Sequence, residues 1–257
     1  MAATGSFSAP SQVLTFDGLL SDFDGTIVDS TDAIVKHWHK IGAELGVDPK
    51  AILATSHGRR SIDTLQLYDP GKANWECKSA NIRLPQGGTL INVLDGSDVS
   101  YVEGLIPKEY GSDAVEIPGA RSILAALEES GATWGVVTSG TRALIDGWLG
   151  VLKLTHPKVL VVAEDVELGK PDPRCYLLGR KKLGLEHSSS IVVLEDAPSG
   201  IKAGKAAGFT VIALTTTHTL EQLQAAGADV IVEDLRSISI KGVVDGRIQL
   251  EVRNALK

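Results

Sequence analysis

Asp22 and Asp24 stand two residues apart at the end of an apolar run, Leu19-Leu20-Ser21-Asp22-Phe23-Asp24-Gly25-Thr26. In an extended chain, residues i and i+2 point the same way, so both carboxylates face one site. Their like charges call for a cation between them. Gly25 permits a turn whose backbone amides approach an anion. A metal site, a carboxylate nucleophile and a phosphate cradle thus fit within one short segment. An ordinary acidic strand-to-helix turn is the plainer alternative.

Three more segments end apolar strands in reactive groups. Trp134-Gly135-Val136-Val137-Thr138-Ser139-Gly140 runs into two hydroxyls that can donate to phosphoryl oxygens or cap the next helix. Gly169-Lys170-Pro171-Asp172-Pro173 sets a lysine in a rigid proline turn, placed to neutralise an anion if it is not simply solvated. Val192-Val193-Leu194-Glu195-Asp196-Ala197-Pro198-Ser199-Gly200 ends in two acids. Asp196 can complete a Mg²⁺ site with Glu195 orienting or sharing it; a charge at a helix N-terminus is the alternative. In α/β folds, ligands gather outside the carboxyl ends of the strands.

The elements around these groups alternate. Strands are expected at Thr133–Val137, Val159–Val162, Ser190–Leu194, Thr210–Leu214 and Asp229–Val232, and helices at Arg142–Leu149, Pro173–Leu183, Ser199–Ala207 and Leu220–Ala226. Short apolar strands between helices predict a parallel sheet covered on both faces, an α/β fold with a Rossmann-like core. Val13–Asp22 reads as strand, folded as a tight pair at Asp17-Gly18. Ser30 is the expected N-cap of a helix over Thr31 to Leu45 that Gly46 ends. Pro118 and Gly131 bracket another helix. Val243–Val252, with Asp245-Gly246 inside, predicts a terminal hairpin. The core is then 13–29 plus 116–257, with 30–115 an inserted helical cap and 1–12 a disordered tail.

Cys77–Ser100 is out of character: turn-rich, with neither helical periodicity nor a clean strand pair. Removing it joins Trp75-Glu76 to Tyr101-Val102-Glu103 in a helix-like run. Cys-Lys-Ser can be encoded with a splice donor and Val-Ser with an acceptor. The stretch therefore reads either as a retained intron or as a genuine cap loop.

Composition narrows the function. The 257 residues are 43% hydrophobic, enough for a large core, and 32 acids against 25 bases give a net charge of −7. Such a chain lacks the basic face that nucleic acid requires, yet a small anion needs only a local positive site. Two cysteines, Cys77 and Cys175, make no disulfide framework, which suits a reducing, cytoplasmic setting. No secretory leader and no apolar run of bilayer length is evident. A monomer is expected.

The four strand-end motifs, in this order over residues 16 to 232, resemble the haloacid dehalogenase superfamily. The resemblance implies Asp22 as nucleophile, Asp24 as general acid/base, Thr138 with Ser139 and Gly25 as the phosphate site, and Lys170 as a charge clamp. It implies Mg²⁺ held by Asp22, Asp24, Asp196 and Glu195. The second aspartate argues for phosphate esters rather than halides. Ser56-His57-Gly58-Arg59-Arg60-Ser61-Ile62-Asp63, Ile117-Pro118-Gly119-Ala120, Thr138-Ser139-Gly140-Thr141 and the segment Glu195 to Gly208 are similar to those of fungal glycerol-1-phosphate and 2-deoxyglucose-6-phosphate phosphatases. On this resemblance Arg60 and His57 touch the substrate from the cap. His37, His39, His156, His187 and His218 have no ligand spacing and are expected to be structural or exposed.

The chemistry agrees. An ionised carboxylate can form an aspartyl-phosphate, and a cation with Lys170 offsets its repulsion from phosphate. The expectation is a Mg²⁺-dependent phosphatase of a small polyol or sugar phosphate, glycerol-phosphate-type favoured. A phosphomutase with the same core, or a weakly active binding homologue with a disrupted cap, are the rival readings.

Overall fold

The computed structural model describes residues 6–73, 75, 79–82, 91–94 and 99–256. In chain order, β1 (Gln12–Phe16), β2 (Gly18–Ser21) and β3 (Val28–Asp29) lead into α1 (Thr31–Leu45), α2 (Pro49–Ser56) and α3 (Ser61–Tyr68). Then come β4 (Ser79–Ile82), β5 (Ile91–Leu94), α4 (Val99–Glu109), β6 (Val115–Glu116) and α5 (Ala120–Glu129). An alternating series follows: β7 (Trp134–Val137), α6 (Arg142–Leu152), β8 (Leu160–Val161), α7 (Arg174–Lys182), β9 (Ile191–Glu195), α8 (Pro198–Ala206), β10 (Thr210–Leu214), α9 (Leu220–Ala226) and β11 (Val230–Val232). The chain closes with β12 (Ile238–Val244) and β13 (Arg247–Val252).

Six strands form a parallel sheet in the order β11-β10-β9-β2-β7-β8. Alternation along each strand fills both faces. Leu19, Val136, Val192, Leu194, Ile212 and Leu214 join one buried cluster. Leu20, Val137, Val193, Val211, Ala213 and Ile231 join the other. Both faces are therefore dry, which is why these strands read as unbroken apolar runs. The order places β2 centrally, so the segment after Ser21 opens between the ends of β7 and β9. Among the described residues, no helix is long and apolar enough to cross a membrane.

Three expectations need correction. Phe16 and Gly18 do not belong to a tight pair: β1 pairs with β13, in register from Gln12–Val252 to Phe16–Ile248, while β2 enters the parallel sheet. Residues 6–12 are not a loose tail either. Phe7 bridges Leu256, Ala9 N donates to Ala255 O at 3.0 Å, and Gln12 already belongs to β1; residues 1–5 lie outside the described ones. Finally, the stretch 77–100 does contain a strand pair, β4 with β5, antiparallel from Ser79–Leu94 to Ile82–Ile91. The helix after it starts at Val99, whose side chain is buried, rather than at Tyr101. The rest of that stretch, and with it the junction at Glu76, lies outside the described residues.

Helix ends follow local chemistry. Gly46 closes α1 in the left-handed region, as expected. Ser30 occupies the N-cap position without capping: no helix amide reaches its hydroxyl. Thr31 N donates to Asp29 Oδ1 at 3.1 Å instead, and the Ser30 hydroxyl serves the site below.

Candidate active site

Asp22 sits one residue past β2, its amide donating to Leu194 O at 2.9 Å. The chain then turns tightly, Ile27 N donating to Phe23 O at 2.8 Å and Gly25 N to Val28 O at 2.7 Å. Gly25 adopts φ +86°, and a Cβ there would stand 2.2 Å from Asp196 Oδ2. Only glycine lets the turn close against that carboxylate.

Lys170 enters from the loop after β8. Its Nζ donates to Asp22 Oδ1 at 2.5 Å, Glu195 Oε1 at 2.7 Å and Val137 O at 3.2 Å. Burial opposes its charge, but Asp22 and Glu195 outweigh burial and hold its pKa well above the ordinary value. Glu195 is held from four directions. Its Oε1 accepts from Lys170 and from Tyr176 OH, at 3.0 Å for the latter, and its Oε2 accepts from Asp196 N and Ala197 N, both at 2.9 Å. That saturation makes Glu195 the orienting partner of Lys170 more than a shared cation ligand.

One ammonium does not neutralise this cluster. Burial raises the Asp22 carboxyl, and Glu195 and Asp196 add to it against Lys170. Oxygen atoms of Asp22, Glu195 and Asp196 all lie within 4.8 Å of one another. Excess buried negative charge and an all-oxygen donor set fit a hard divalent cation such as Mg²⁺. Asp22 and Asp196 are the side chains that would hold it. Asp196 is braced by Thr26 Oγ1 at 3.2 Å, His57 Nε2 at 3.2 Å and the Thr217 hydroxyl. Burial raises its pKa, but the His57 and Thr217 hydrogen bonds with the His57 and His218 charges outweigh burial and keep it below the usual value.

Asp24 faces the same cavity. Burial pushes its carboxyl up to about 6, while the Ser30 hydroxyl, donating to Oδ1 at 2.7 Å, works the other way. A carboxyl poised near 6 both gives and takes a proton near neutral pH. Thr138 Oγ1 accepts from Gly140 N at 2.9 Å, which leaves its O–H to donate into the cavity.

A cavity of about 240 Å³ opens on Asp22, Asp24, Gly25 and Thr138 and is bounded by α1, α2 and α4. His57 lines it and also reaches Asp196 Oδ2. Two expectations change. Ser139 lines the cavity, but its hydroxyl donates to Gly58 O at 3.1 Å, as does Ser199 Oγ at 3.1 Å. Ser139 thus docks the loop after α2 instead of offering its hydroxyl to phosphate.

Arg60 differs more. It is buried and absent from the cavity lining. Its guanidinium pairs with Asp63 at 2.8 and 2.6 Å and donates to the carbonyls of Val166 at 2.7 Å and Glu167 at 3.0 Å. A fork-shaped donor spent on a carboxylate and loop carbonyls is a strut. It ties the start of α3 to the segment that leads into Lys170. The neighbouring Arg59, exposed, lines the cavity.

Several participants were invisible in the sequence. Tyr176, Thr217 and His218 come from distant segments, and no spacing links them to the carboxylates. His218, expected outside the site, stands 5.0 Å from His57 ring to ring and within reach of Asp196. Thr26, in contrast, was signalled by following the Asp-x-Asp-Gly turn.

Similarity to known proteins identifies the family. The haloacid dehalogenase-like hydrolase profile matches residues 16–208. Glycerol-1-phosphate phosphohydrolase 1 of Saccharomyces cerevisiae is 35% identical over 235 residues, covering 88% of this chain and 86% of that protein. 2-Deoxyglucose-6-phosphate phosphatase 1 of the same yeast is 34% identical over 256 residues, covering 93% of this chain and 96% of its own. A hydrolase crystal structure from Pseudomonas syringae superposes with a TM-score of 0.66 at 22% identity, over 85% of this chain and 94% of its own, and so shares the fold. By this profile match and these relatives, the chain belongs to the haloacid dehalogenase-like hydrolase family, as an enzyme of the phosphatase type.

Proposed function

We propose that the chain is a Mg²⁺-dependent phosphomonoesterase that takes a small polyol or sugar phosphate, preferably of the glycerol-phosphate type, through an aspartyl-phosphate on Asp22. The observation that carries this reading is the Lys170 ammonium bridging Asp22 and Glu195 beside a second, separately held aspartate.

Lys170 holds one oxygen of Asp22 and leaves the other for phosphorus. Attack by that oxygen forms the Asp22 O–P bond and breaks the bond from phosphorus to the substrate oxygen. Asp24, protonated, gives its proton to the departing alkoxide. Now ionised, Asp24 takes a proton from water, whose oxygen attacks phosphorus, releases inorganic phosphate and restores the Asp22 carboxylate. Thr138 O–H and the backbone around Gly25 receive the phosphoryl oxygens. A bound Mg²⁺ would supply charge neutralisation between Asp22 and the phosphoryl group.

Action as a monomer belongs to the same reading, and a cytoplasmic setting rests on cysteine usage. The yeast relatives support a small phosphorylated metabolite as substrate. Residues 13–29 with 116–257 as the core, and 30–115 as the cap, is the division this mechanism uses.

The test is phosphate release from a panel of phosphorylated metabolites, before and after EDTA treatment. We expect release without a bisphosphate activator, lost on chelation and restored by Mg²⁺. Isomerised phosphate esters formed only with a bisphosphate would favour a phosphomutase. Full turnover after EDTA treatment would remove the metal from the account.

A further inference from the structure

The cavity has a second polar wall that phosphoryl transfer does not use. His37 on α1 is 6% exposed and lines this wall. Its ring meets Trp38 edge-on, centroids 5.4 Å apart, but makes no hydrogen bond among the described residues. Burial, with Lys40 adding, lowers its pKa to about 4, so the imidazole is neutral near pH 7. A neutral imidazole offers one N–H and one lone pair. Among the described residues the sealed, unpartnered side-chain polar atom is Trp148 Nε1, so the His37 nitrogens are unpaired yet open to cavity space, where a ligand can reach them.

Glu103 on α4 lines the same cavity, 4% exposed. Its carboxyl accepts from the Ser61 hydroxyl and from Thr141 N, the latter at 2.8 Å. A carboxylate has about four acceptor sites, so acceptor capacity remains. Ile34, Trp38, Leu53, Ile106 and Leu144 add apolar surface to the lining of the same cavity.

This pattern excludes two kinds of substrate tail. An alkyl tail would leave the imidazole and Glu103 without partners, at the cost of their desolvation. A second phosphate would find no cation in His37 or Glu103, a neutral imidazole and a carboxyl whose burial raises its pKa to about 7, while Arg59 at the cavity stays exposed. A chain of C–H and O–H groups meets both requirements: its carbons pack on the apolar lining while its hydroxyls give and take hydrogen bonds.

We propose that His37 and Glu103 form the hydroxyl-reading end of the substrate cavity, selecting the polyol chain of the phosphate ester; this rests on the phosphatase reading above. His37 is the more telling half, because Glu103 also joins α4 to α3 and α6.

A matched pair of esters tests it: a hexitol 6-phosphate and n-hexyl phosphate, equal in carbon count but different in hydroxyls. The readout is the ratio of their kcat/KM values in wild type, His37→Leu and His37→Asn. The wild-type ratio should favour the hexitol ester. In His37→Leu it should fall by about 10- to 100-fold, the size expected for losing one or two buried hydrogen bonds. His37→Asn, which keeps a donor and an acceptor, should recover part of it. Because a ratio is measured, a general loss of folded enzyme cancels. A His37→Leu ratio within about twofold of wild type overturns the proposal, leaving the phosphatase intact. A wild type that releases phosphate from no ester sinks the phosphatase reading and the proposal together.

Discussion

The Ser30 hydroxyl donates to Asp24 Oδ1 at 2.7 Å from the residue that begins α1. A residue type suited to capping a helix is thereby spent on aiming a carboxyl. Asp29 covers the vacated role at Thr31 N. Ser30→Ala should therefore cost activity more than stability. A hydrogen bond to a charged group is worth about 1.5–3 kcal/mol, so kcat should fall roughly 10- to 100-fold with KM little changed. Steady-state kinetics and a melting curve on the same preparation check it. A large drop in melting temperature with normal kcat would return Ser30 to a capping role.

Arg60→Ala should act on stability and on every substrate alike. The change leaves Asp63 and the Val166 and Glu167 carbonyls without their donor. Breaking one side of a buried ion pair costs about 3–5 kcal/mol; with the Asp63 side chain 39% exposed, about 2–3 kcal/mol is expected. Urea unfolding and kcat/KM on two unlike esters measure both effects. A loss confined to the preferred ester would restore Arg60 to the substrate.

Much of this was legible in the chain itself. The six parallel strands show as short apolar runs because both their faces are buried, and the carboxylates stand at strand ends, with Lys170 in the loop after β8, where an α/β fold must gather its chemistry. What stayed hidden depends on partners far away in sequence. β1 pairs with β13 across the whole chain length, and nothing near Gln12 signals that. Arg60 and Arg59 are adjacent and alike; only the folded loop 163–167 decides which is buried and which meets the cavity. The β4–β5 pair escaped because Ile82 and Ile91, which pair, stand nine positions apart in the sequence, too far for the two-residue hairpin signal.

Gly200→Ala should damage the site through Glu195. A Cβ at this position would fall 1.5 Å from Glu195 Oε1, so the carboxyl must leave its place and release Lys170 and Tyr176. We expect a fall of at least about 100-fold in kcat, of the order seen when an orienting electrostatic partner is removed. Gly204→Ala on the same helix, with its nearest contact at 2.9 Å from Val211, controls for generic crowding of α8. Equal effects of the two changes would mean that Glu195 geometry is not what matters.

Glu103 imposes a pH dependence on stability. Burial, resisted by the Ser61 and Thr141 hydrogen bonds, pushes its carboxyl up to about 7 from an ordinary 4.5. The folded chain then holds this proton more tightly than the unfolded one. Its stabilising contribution is complete below about pH 4.5 and is lost as pH rises through about 7, a span worth about 3 kcal/mol. Glu103→Gln cannot titrate. The stability of wild type relative to this variant should fall across that window, most of it between about pH 5 and 8. Parallel unfolding curves at all pH values would contradict the raised value.

Turnover is expected to place a phosphoryl group on Asp22. The most direct measurement is an acid quench of the enzyme in the presence of Mg²⁺ and a turning-over ester, followed by mass mapping of the peptide that contains Asp22. The account predicts one phosphoryl group on Asp22, discharged by hydroxylamine as acyl phosphates are. Asp22→Asn should show none and lose at least about 10³-fold in phosphate release. Steady turnover with Asp22 never labelled, or near-normal release by Asp22→Asn, would contradict it.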